Sequence, residues 1–395
     1  MGNRFGVIAP IERFVAPHSL DGSDGANRAF SSSAQISATN DIEAVNAWLA
    51  MFVDTATTFA SYRKEAERLL LWSTLQLQKP LSSLSHEDWL VYRSFLADPQ
   101  PRERWVSGSP RKFPRSDPRW RPFAGSLSPA SQRQACVILN AMFSWLVTAG
   151  YLAGNPLSLS RERRRAPPAR MTRYLDEHLW REVMATVELL PVETARQIEH
   201  QTRMRWLMSL FYLCGLRISE ISGATMGGFF ERRDRTGRSQ WWLEVAGKGE
   251  KIRIIPATTE LMAELALYRG GHRLPHFPMQ GETTPLLLPI GGAHRALTRG
   301  AIHAIVKALF TATASRLRAA GTGDTGDVRK IEAASAHWLR HTAGSHMADN
   351  QIDLRHVRDN LGHQSLSTTN IYLHSEDDAR HQETDTKHRI GWKRT

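Results

Sequence analysis

The sequence predicts a mainly α-helical protein with a small β-sheet, an α+β fold divided between two domains. The chain has 395 residues, the length of two or three ordinary domains. Apolar residues recur at helical spacing along most of the chain, whereas β-prone runs occur near residues 241–245 and 252–255. With 41% hydrophobic and 23% charged residues, the composition is globular and excludes a collagen, a mucin or a wholly disordered chain.

Further classes of protein are excluded by what the sequence lacks. No apolar run approaches the roughly 18 residues of a membrane span, and the N-terminus has no signal-peptide pattern. The two cysteines, Cys136 and Cys214, cannot form a disulfide scaffold or a zinc site made of several thiolates. We therefore expect a soluble protein of the cytoplasm.

Positive charge is concentrated in two places. Lysine and arginine total 51 against 39 aspartate and glutamate, a net charge of +12, and residues 102–121 and 161–173 each have a net charge of +5. Such stretches occur as solvated loops, but localised arginine is more typical of a surface that contacts a polyanion such as nucleic acid. The binding candidates, which include two residues of the predicted hairpin, are Arg102, Arg104, Arg111, Lys112, Arg115, Arg161, Arg163, Arg164, Arg165, Arg170, Lys251 and Arg253.

The first predicted domain is helical. Residues 1–38 are rich in small polar residues without periodicity and predict a flexible tail. The third of its helices begins after Ser85 as N-cap, and six prolines within residues 99–122 indicate a loop. The domain covers 39–157 and is followed by a basic, proline-containing linker over 158–174. Its predicted helices cover about 41–53, 58–75, 89–96 and 128–149.

The second predicted domain, residues 175–395, combines helices with one hairpin. Its two β-prone runs are separated by the tetrapeptide Gly-Lys-Gly-Glu at 247–250, which favours a tight turn. Residues 321–327, rich in glycine and aspartate, predict a loop. The predicted helices cover about 175–190, 196–214, 258–269, 297–320, 336–348, 353–360 and 365–374.

Two positions of this domain combine a basic side chain with an unusual local sequence. Arg217 lies among apolar residues, where Glu220 could orient it. Its ordinary explanation is a structural ion pair at a helix start. Lys248 lies between two glycines at the tip of the hairpin, where the backbone can approach a ligand. Its ordinary explanation is a solvated surface lysine.

Three further motifs contain titratable side chains. His337 and Arg340 are three residues apart and share a helix face. His337 and His341 have the spacing of a zinc helix, but a tryptophan stands where that motif has glutamate, so no metal is expected. His363 follows a glycine turn, and Tyr372 lies nine residues later. Each of these two alone is more simply explained by capping or packing.

Considered together, these groups have a chemical logic. Two arginines, a lysine, two histidines and a tyrosine are what phosphoryl transfer without a metal requires. The arginines neutralise the non-bridging oxygens in place of Mg²⁺, the tyrosine attacks, and a lysine or histidine protonates the leaving oxygen. No cofactor is expected.

These motifs resemble those of the tyrosine recombinases, the phage integrase family that includes the Xer-type enzymes. The matching segments are Cys-Gly-Leu-Arg-Ile-Ser-Glu at 214–220, Gly-Lys-Gly-Glu-Lys-Ile-Arg at 247–253, His-Trp-Leu-Arg-His-Thr at 337–342, and Leu-Gly-His at 361–363 with Tyr372. The resemblance extends strongly over about 175–380 and implies the family's mixed catalytic domain there, while residues 39–157 resemble its helical core-binding domain. It implies the catalytic set Arg217, Lys248, His337, Arg340, His363 and the nucleophile Tyr372.

Three features depart from the usual family pattern. They are residues 349–350, Asn360, and the insertion at 99–122, which is longer than a core-binding domain needs. None of them removes a catalytic position. We therefore expect them to bear on the subfamily and on the DNA site.

The resemblance implies a site-specific recombinase or integrase that cuts and rejoins double-stranded DNA through a 3′-phosphotyrosyl intermediate, without ATP or metal. It further implies a homotetramer on paired DNA sites, acting at the nucleoid, with residues 375–395 docked on a neighbour unless they are disordered. Whether a sister recombinase or accessory factor takes part stays open. So do two alternatives, a type IB topoisomerase that relaxes DNA as a monomer and a catalytically inactive DNA-binding accessory protein.

Overall fold

The computed structural model describes residues 8–29, 34–109, 113–160, 173–247, 251–321 and 324–362. The chain divides into two compact units, Met1–Arg165 and Ala166–Thr395. The division falls inside the basic segment 158–174 that the sequence predicts to be a linker. No helix in the described part of the chain is long and apolar enough to cross a membrane.

The first unit is helical throughout its described residues. Three of its helices begin at a side chain that accepts a backbone N–H, namely Asn40, Ser85 and Ser128. The core is aromatic, with Trp48 and Trp72 almost completely buried. The helices are α1 (Asp41–Ala50), α2 (Ala56–Trp72, continued by a π-helical turn Ser73–Leu77), α3 (His86–Ala97), α4 (Arg102–Trp105) and α5 (Pro129–Thr148).

Residues 8–29 differ from the flexible tail that the sequence predicts over 1–38. Ile11 and Phe14 are buried in the core of the first unit, and the backbone N–H of Ile11 donates to Glu67 at 2.7 Å. Further along, the buried Asp41 accepts hydrogen bonds from the Tyr151 hydroxyl at 2.9 Å and from the Ser82 N–H at 3.0 Å. Isolated apolar anchors in a glycine-rich stretch create no periodicity, and that is why the pattern predicts a tail.

The proline-rich excursion 99–122 is also anchored to the core. It contains the short helix α4, and the buried Trp105 and Phe123 pack against Phe95. Arg115, one of the candidate DNA-binding residues, instead forms ion pairs with Glu12 and the buried Glu67, both at 2.6 Å. The guanidinium of Arg115 therefore joins this excursion to α2 and to the N-terminal segment.

In its described residues the second unit combines helices with one small sheet. Apolar side chains alternate along the central strand, so that Leu243 and Val245 face the core. The helices are α6 (Glu177–Glu188), α7 (Ala195–Tyr212), α8 (Ile218–Gly223), α9 (Thr259–Gly271), α10 (Arg299–Ala320), α11 (Thr325–Ala333), α12 (Ala336–Asp349) and α13 (Leu354–Leu361). The strands are β1 (Phe229–Arg233), β2 (Ser239–Ala246) and β3 (Ile252–Ala257).

The sheet is antiparallel in the order β1-β2-β3, and Trp242 pairs with Phe230 on one side and Pro256 on the other. The predicted hairpin is therefore present as β2 and β3. The sequence analysis misses β1, because three of its five residues are charged, and it places a loop where α11 begins.

Packing in the second unit brings distant parts of the chain together. Helix α7 packs against α9 and α12, α10 packs against α6, α8 and α11, and α13 contacts both β3 and α12. The completely buried Trp206 on α7 donates its indole N–H to the carbonyl of Leu286 at 2.8 Å. As a result, the start of α8, the end of β2, helix α12 and the end of α13 meet.

We predict that Phe14→Ala destabilises the first unit by about 3 kcal/mol, because truncating a buried phenylalanine removes apolar burial and leaves a cavity. Phe14 is 6% exposed, whereas the adjacent Val15 is 59% exposed. Val15→Ala is therefore the matched control and should change the free energy of unfolding by less than ~0.5 kcal/mol. Urea unfolding of the full chain measures both, and equal midpoints would mean that the segment behaves as a tail.

Candidate active site

Arg217 lies where α7 gives way to α8. Gly215 takes a left-handed conformation with φ 57°, and Arg217 then forms the N-cap of α8. Its backbone N–H donates to Oε2 of Glu220 at 2.7 Å, and its guanidinium Nη1 donates to Oε1 at 2.8 Å. The Arg217 side chain stays 33% exposed. A carboxylate thus holds one side of this guanidinium while the side chain still reaches solvent.

Glu220 is the hub of the site. Its side chain is 3% exposed and accepts two bonds from the guanidinium of Arg253 on β3, at 2.7 and 2.9 Å, in addition to those from Arg217. Burial alone would raise the pKa of Glu220, but the hydrogen bonds and charge of Arg253, together with the bonds from Arg217, lower it to about 2. The carboxylate of Glu220 is therefore ionised at neutral pH.

Lys248 lies outside the described residues, but Gly247, the residue before it, lies close to Glu220. The N–H of Gly247 donates to the carbonyl of Lys251 at 2.8 Å and closes the hairpin. A Cβ atom built on Gly247 would lie 3.7 Å from Oε1 of Glu220 and 3.6 Å from Nη1 of Arg253. The residue before Lys248 thus borders the cluster, and Lys251 on the far side of the turn is exposed.

Arg340 connects two internal segments of the chain that border the site. It is buried on α12, and its guanidinium donates to the carbonyls of Gly215 and Leu361. The first carbonyl is two residues from Arg217, and the second is two residues before His363. His363 and Tyr372 lie outside the described residues.

Gly362 fixes where the chain leaves α13. It caps that helix in a left-handed conformation with φ 60°, which glycine adopts without strain. A Cβ built there would lie 2.8 Å from Cδ of Arg253, and the Nε of Arg253 donates to the carbonyl of Asn360 at 3.1 Å. The site uses only the backbone of Asn360, so its unusual side chain is compatible with this geometry.

His337 is an exposed residue on α12, one turn before His341. Its Nε2 lies 3.0 Å from Nε2 of His341. Partial desolvation, and then the positive charges of Arg340, Arg217 and Arg173, lower the pKa of His337. The imidazole is therefore neutral at neutral pH, the form that can accept a proton. The described residues contain no group of three His, Cys, Asp or Glu side chains that could hold a metal.

The described part of the chain thus brings together Arg217, His337 and Arg340 of the six predicted catalytic residues. Among the predicted DNA-binding residues, Arg253 is only 11% exposed and is bound to Glu220, while Arg102 is exposed on α4. Arg104 on the same helix is half-buried over the ring of Trp105. The candidates that lie outside the described residues are Arg111, Lys112, Arg161, Arg163, Arg164, Arg165 and Arg170.

Sequence reasoning missed two participants. It assigned Arg253 to DNA, although its position two residues before the buried Ile255, and therefore on the same face of the strand, could have predicted an inward-facing guanidinium. It considered His341 only as a metal ligand. Its spacing of four from His337 already implied contact between the two rings.

Comparison with known proteins places this geometry in a family. Residues 184–379 match the model of the phage integrase family, a span that includes all six predicted catalytic positions. The tyrosine recombinase XerC of Xylella fastidiosa is 29% identical over 254 residues, covering 63% of this chain and 71% of that protein. XerD of Caulobacter vibrioides is 27% identical and covers 69% and 79%.

Solved structures share the fold. A XerH site-specific recombinase bound to a palindromic difH substrate aligns with a TM-score of 0.55 at 16% identity, covering 90% of both chains. A λ integrase dimer bound to a core site aligns with a TM-score of 0.53 at 13% identity, covering 89% of this chain and 79% of that one. By the family match, residues 184–379 belong to the phage integrase family, and the chain is a tyrosine-type site-specific recombinase.

Proposed function

We propose that this recombinase cuts and rejoins DNA through a 3′-phosphotyrosyl intermediate formed by Tyr372, with neither metal nor ATP. One observation supports this most strongly. Arg217 and Arg340 are held beside the neutral imidazole of His337, at the place where the chain turns toward Lys248 and His363. Two fixed guanidinium groups beside a neutral base suit a phosphodiester whose charge grows during attack.

The roles follow from the chemistry of each group. Arg217 and Arg340, with His363, hold the non-bridging oxygens of the scissile phosphate and stabilise their charge. Tyr372 attacks phosphorus and His337 accepts its proton. Lys248 protonates the departing 5′ oxygen. The phosphotyrosine preserves the energy of the broken bond, so rejoining needs no nucleotide.

We propose double-stranded DNA as the partner, bound by four copies of the chain on two sites in the bacterial cytoplasm at the nucleoid. The XerH, λ integrase and Tn1549 integrase structures are described as complexes with DNA. Exposed basic side chains such as Arg102 and Lys251, together with the arginines of 161–170, are the proposed contacts to the phosphate backbone. Arg115 and Arg253 are assigned structural roles instead, since both are paired with buried glutamates.

The two alternatives are separable by experiment. A type IB topoisomerase would relax supercoiled DNA that lacks any recombination site, and an inactive accessory protein would bind DNA without forming an adduct. The intact cluster around Glu220 argues against the inactive protein. A protein that had lost catalysis would not need a buried bidentate ion pair to position Arg217.

We predict that Tyr372→Phe binds DNA normally but forms no covalent adduct, because only the attacking oxygen is removed. A suicide substrate nicked beside the cleavage point traps the wild-type protein as a band on a denaturing gel. Tyr62→Phe is the matched control, since Tyr62 stacks on Trp48 in the first unit, and it should trap normally. An adduct with the Tyr372 variant would identify another tyrosine as the nucleophile.

We predict that Lys248→Ala slows cleavage by ~10²–10⁴-fold, the usual effect of losing a positioned proton donor. A substrate with sulfur at the bridging 5′ position should restore most of that loss, since a thiolate has a pKa near ~8.5 and departs without a proton. The same substrate should not rescue Arg217→Ala, which lacks charge stabilisation. Lys251→Ala, on the same hairpin, should show no dependence on the leaving group. Failure of the Lys248 variant on sulfur would assign the acid elsewhere.

A further inference from the structure

His341 is a second imidazole in the site, and the mechanism above does not use it. Its Nε2 lies 3.0 Å from Nε2 of His337, and the ring centroids are 4.4 Å apart with the planes at 78°. The distance is that of a hydrogen bond between two ring nitrogens. One of the two atoms must then carry a proton and the other must present a lone pair.

The direction of this hydrogen bond determines whether His337 can act as a base. When His337 donates from Nε2, its Nδ1 is a bare lone pair that can accept a proton, and His341 carries its own proton on Nδ1. In the opposite direction His337 carries the proton on Nδ1 and cannot act as a base there. The partner of one ring nitrogen thus decides what the other nitrogen can do.

The charges around His337 make a lone imidazolium unfavourable. Arg340 on its own helix, Arg217 at the start of α8 and Arg173 before α6 all lower the pKa of His337, after partial desolvation. Among the residues that the structure describes, His341 is the titratable side chain whose ring contacts that of His337. When His337 accepts a proton at this position, it therefore needs a neighbouring group that can take up the positive charge.

We propose that His341 positions His337 as the general base and takes up the proton displaced from it during cleavage. The O–H bond of Tyr372 breaks and its proton bonds to Nδ1 of His337, while the proton on Nε2 of His337 passes to Nε2 of His341. The phenolic oxygen forms the bond to phosphorus as the bond to the 5′ oxygen breaks, and that oxygen takes a proton from Lys248. His337 ends neutral and His341 ends as the imidazolium.

This inference rests on the proposed function, and two variants of His341 test it. His341→Gln retains an oxygen that can accept the hydrogen bond but cannot hold a proton, whereas His341→Ala retains neither. We expect both to bind DNA like the wild type and to form the covalent adduct ~10–100-fold more slowly in single turnover. His178→Gln is the control, since His178 lies on α6 with a side chain that is 61% exposed, and it should cleave normally.

The pH profile separates a proton-accepting role from a purely structural one. In the wild type, adduct formation should fall at low pH as the histidine pair becomes protonated. Without His341, the imidazole of His337 is surrounded by arginines and should become protonated only at lower pH. The decrease in the rate of adduct formation should therefore occur at lower pH than in the wild type. A structural role would slow cleavage equally at every pH. The bridging-sulfur substrate should not rescue either variant, because their defect is not in the leaving group.

Nitrogen NMR of the imidazoles gives a readout that does not depend on activity. We expect His337 to be the Nε2–H tautomer in the wild-type protein and to lose that preference in His341→Ala. A wild-type rate and pH profile in His341→Gln, or an unchanged His337 tautomer in His341→Ala, would overturn the inference. Failure of the wild type to form any adduct would instead overturn the proposed function, so the two failures are distinguishable.

Discussion

The buried carboxylate of Glu220 is the interaction on which the geometry of the active site depends. It accepts hydrogen bonds from the backbone and guanidinium of Arg217 and from both Nη atoms of Arg253. A buried carboxylate is costly unless it is paired, and here two guanidinium groups and a backbone N–H satisfy it. Because Arg217 belongs to α8 and Arg253 to β3, this one side chain joins the helical layer to the sheet.

Backbone groups complete the arrangement. Arg340 donates to the carbonyls that precede Arg217 and His363 in the chain, and Arg253 donates to that of Asn360. Each of these bonds places a chain segment and leaves the side chains of that segment available for other contacts. The two arginines proposed to hold the phosphate are thus fixed by different partners, Arg217 by a carboxylate and Arg340 by carbonyls. Among the described residues, these two guanidinium groups are positioned without DNA, which lowers the entropic cost of reaching the transition state.

The features of the fold and the site that could be predicted from the sequence are those made by residues close together in the chain. Helices such as α5, α6 and α10 were predictable because their buried faces repeat every three or four residues. The pairing of Glu220 with Arg217 was predictable from their spacing of three. The pairing of Glu220 with Arg253 was not, since 33 residues and a hairpin separate them. Packing of Ile11 and Phe14 was missed for the same reason, because their partners are supplied by α2 and other distant segments.

The rate of covalent adduct formation by Glu220→Gln tests the central claim most directly. The amide keeps the shape but loses the charge that holds both guanidinium groups, and removing one partner of a buried ion pair costs about 3 kcal/mol. We predict cleavage ~10²-fold slower than wild type with DNA affinity unchanged. The control is Glu264→Gln, which breaks the Arg205–Glu264 pair elsewhere in the same unit and should cleave normally. A wild-type rate for Glu220→Gln would contradict the account.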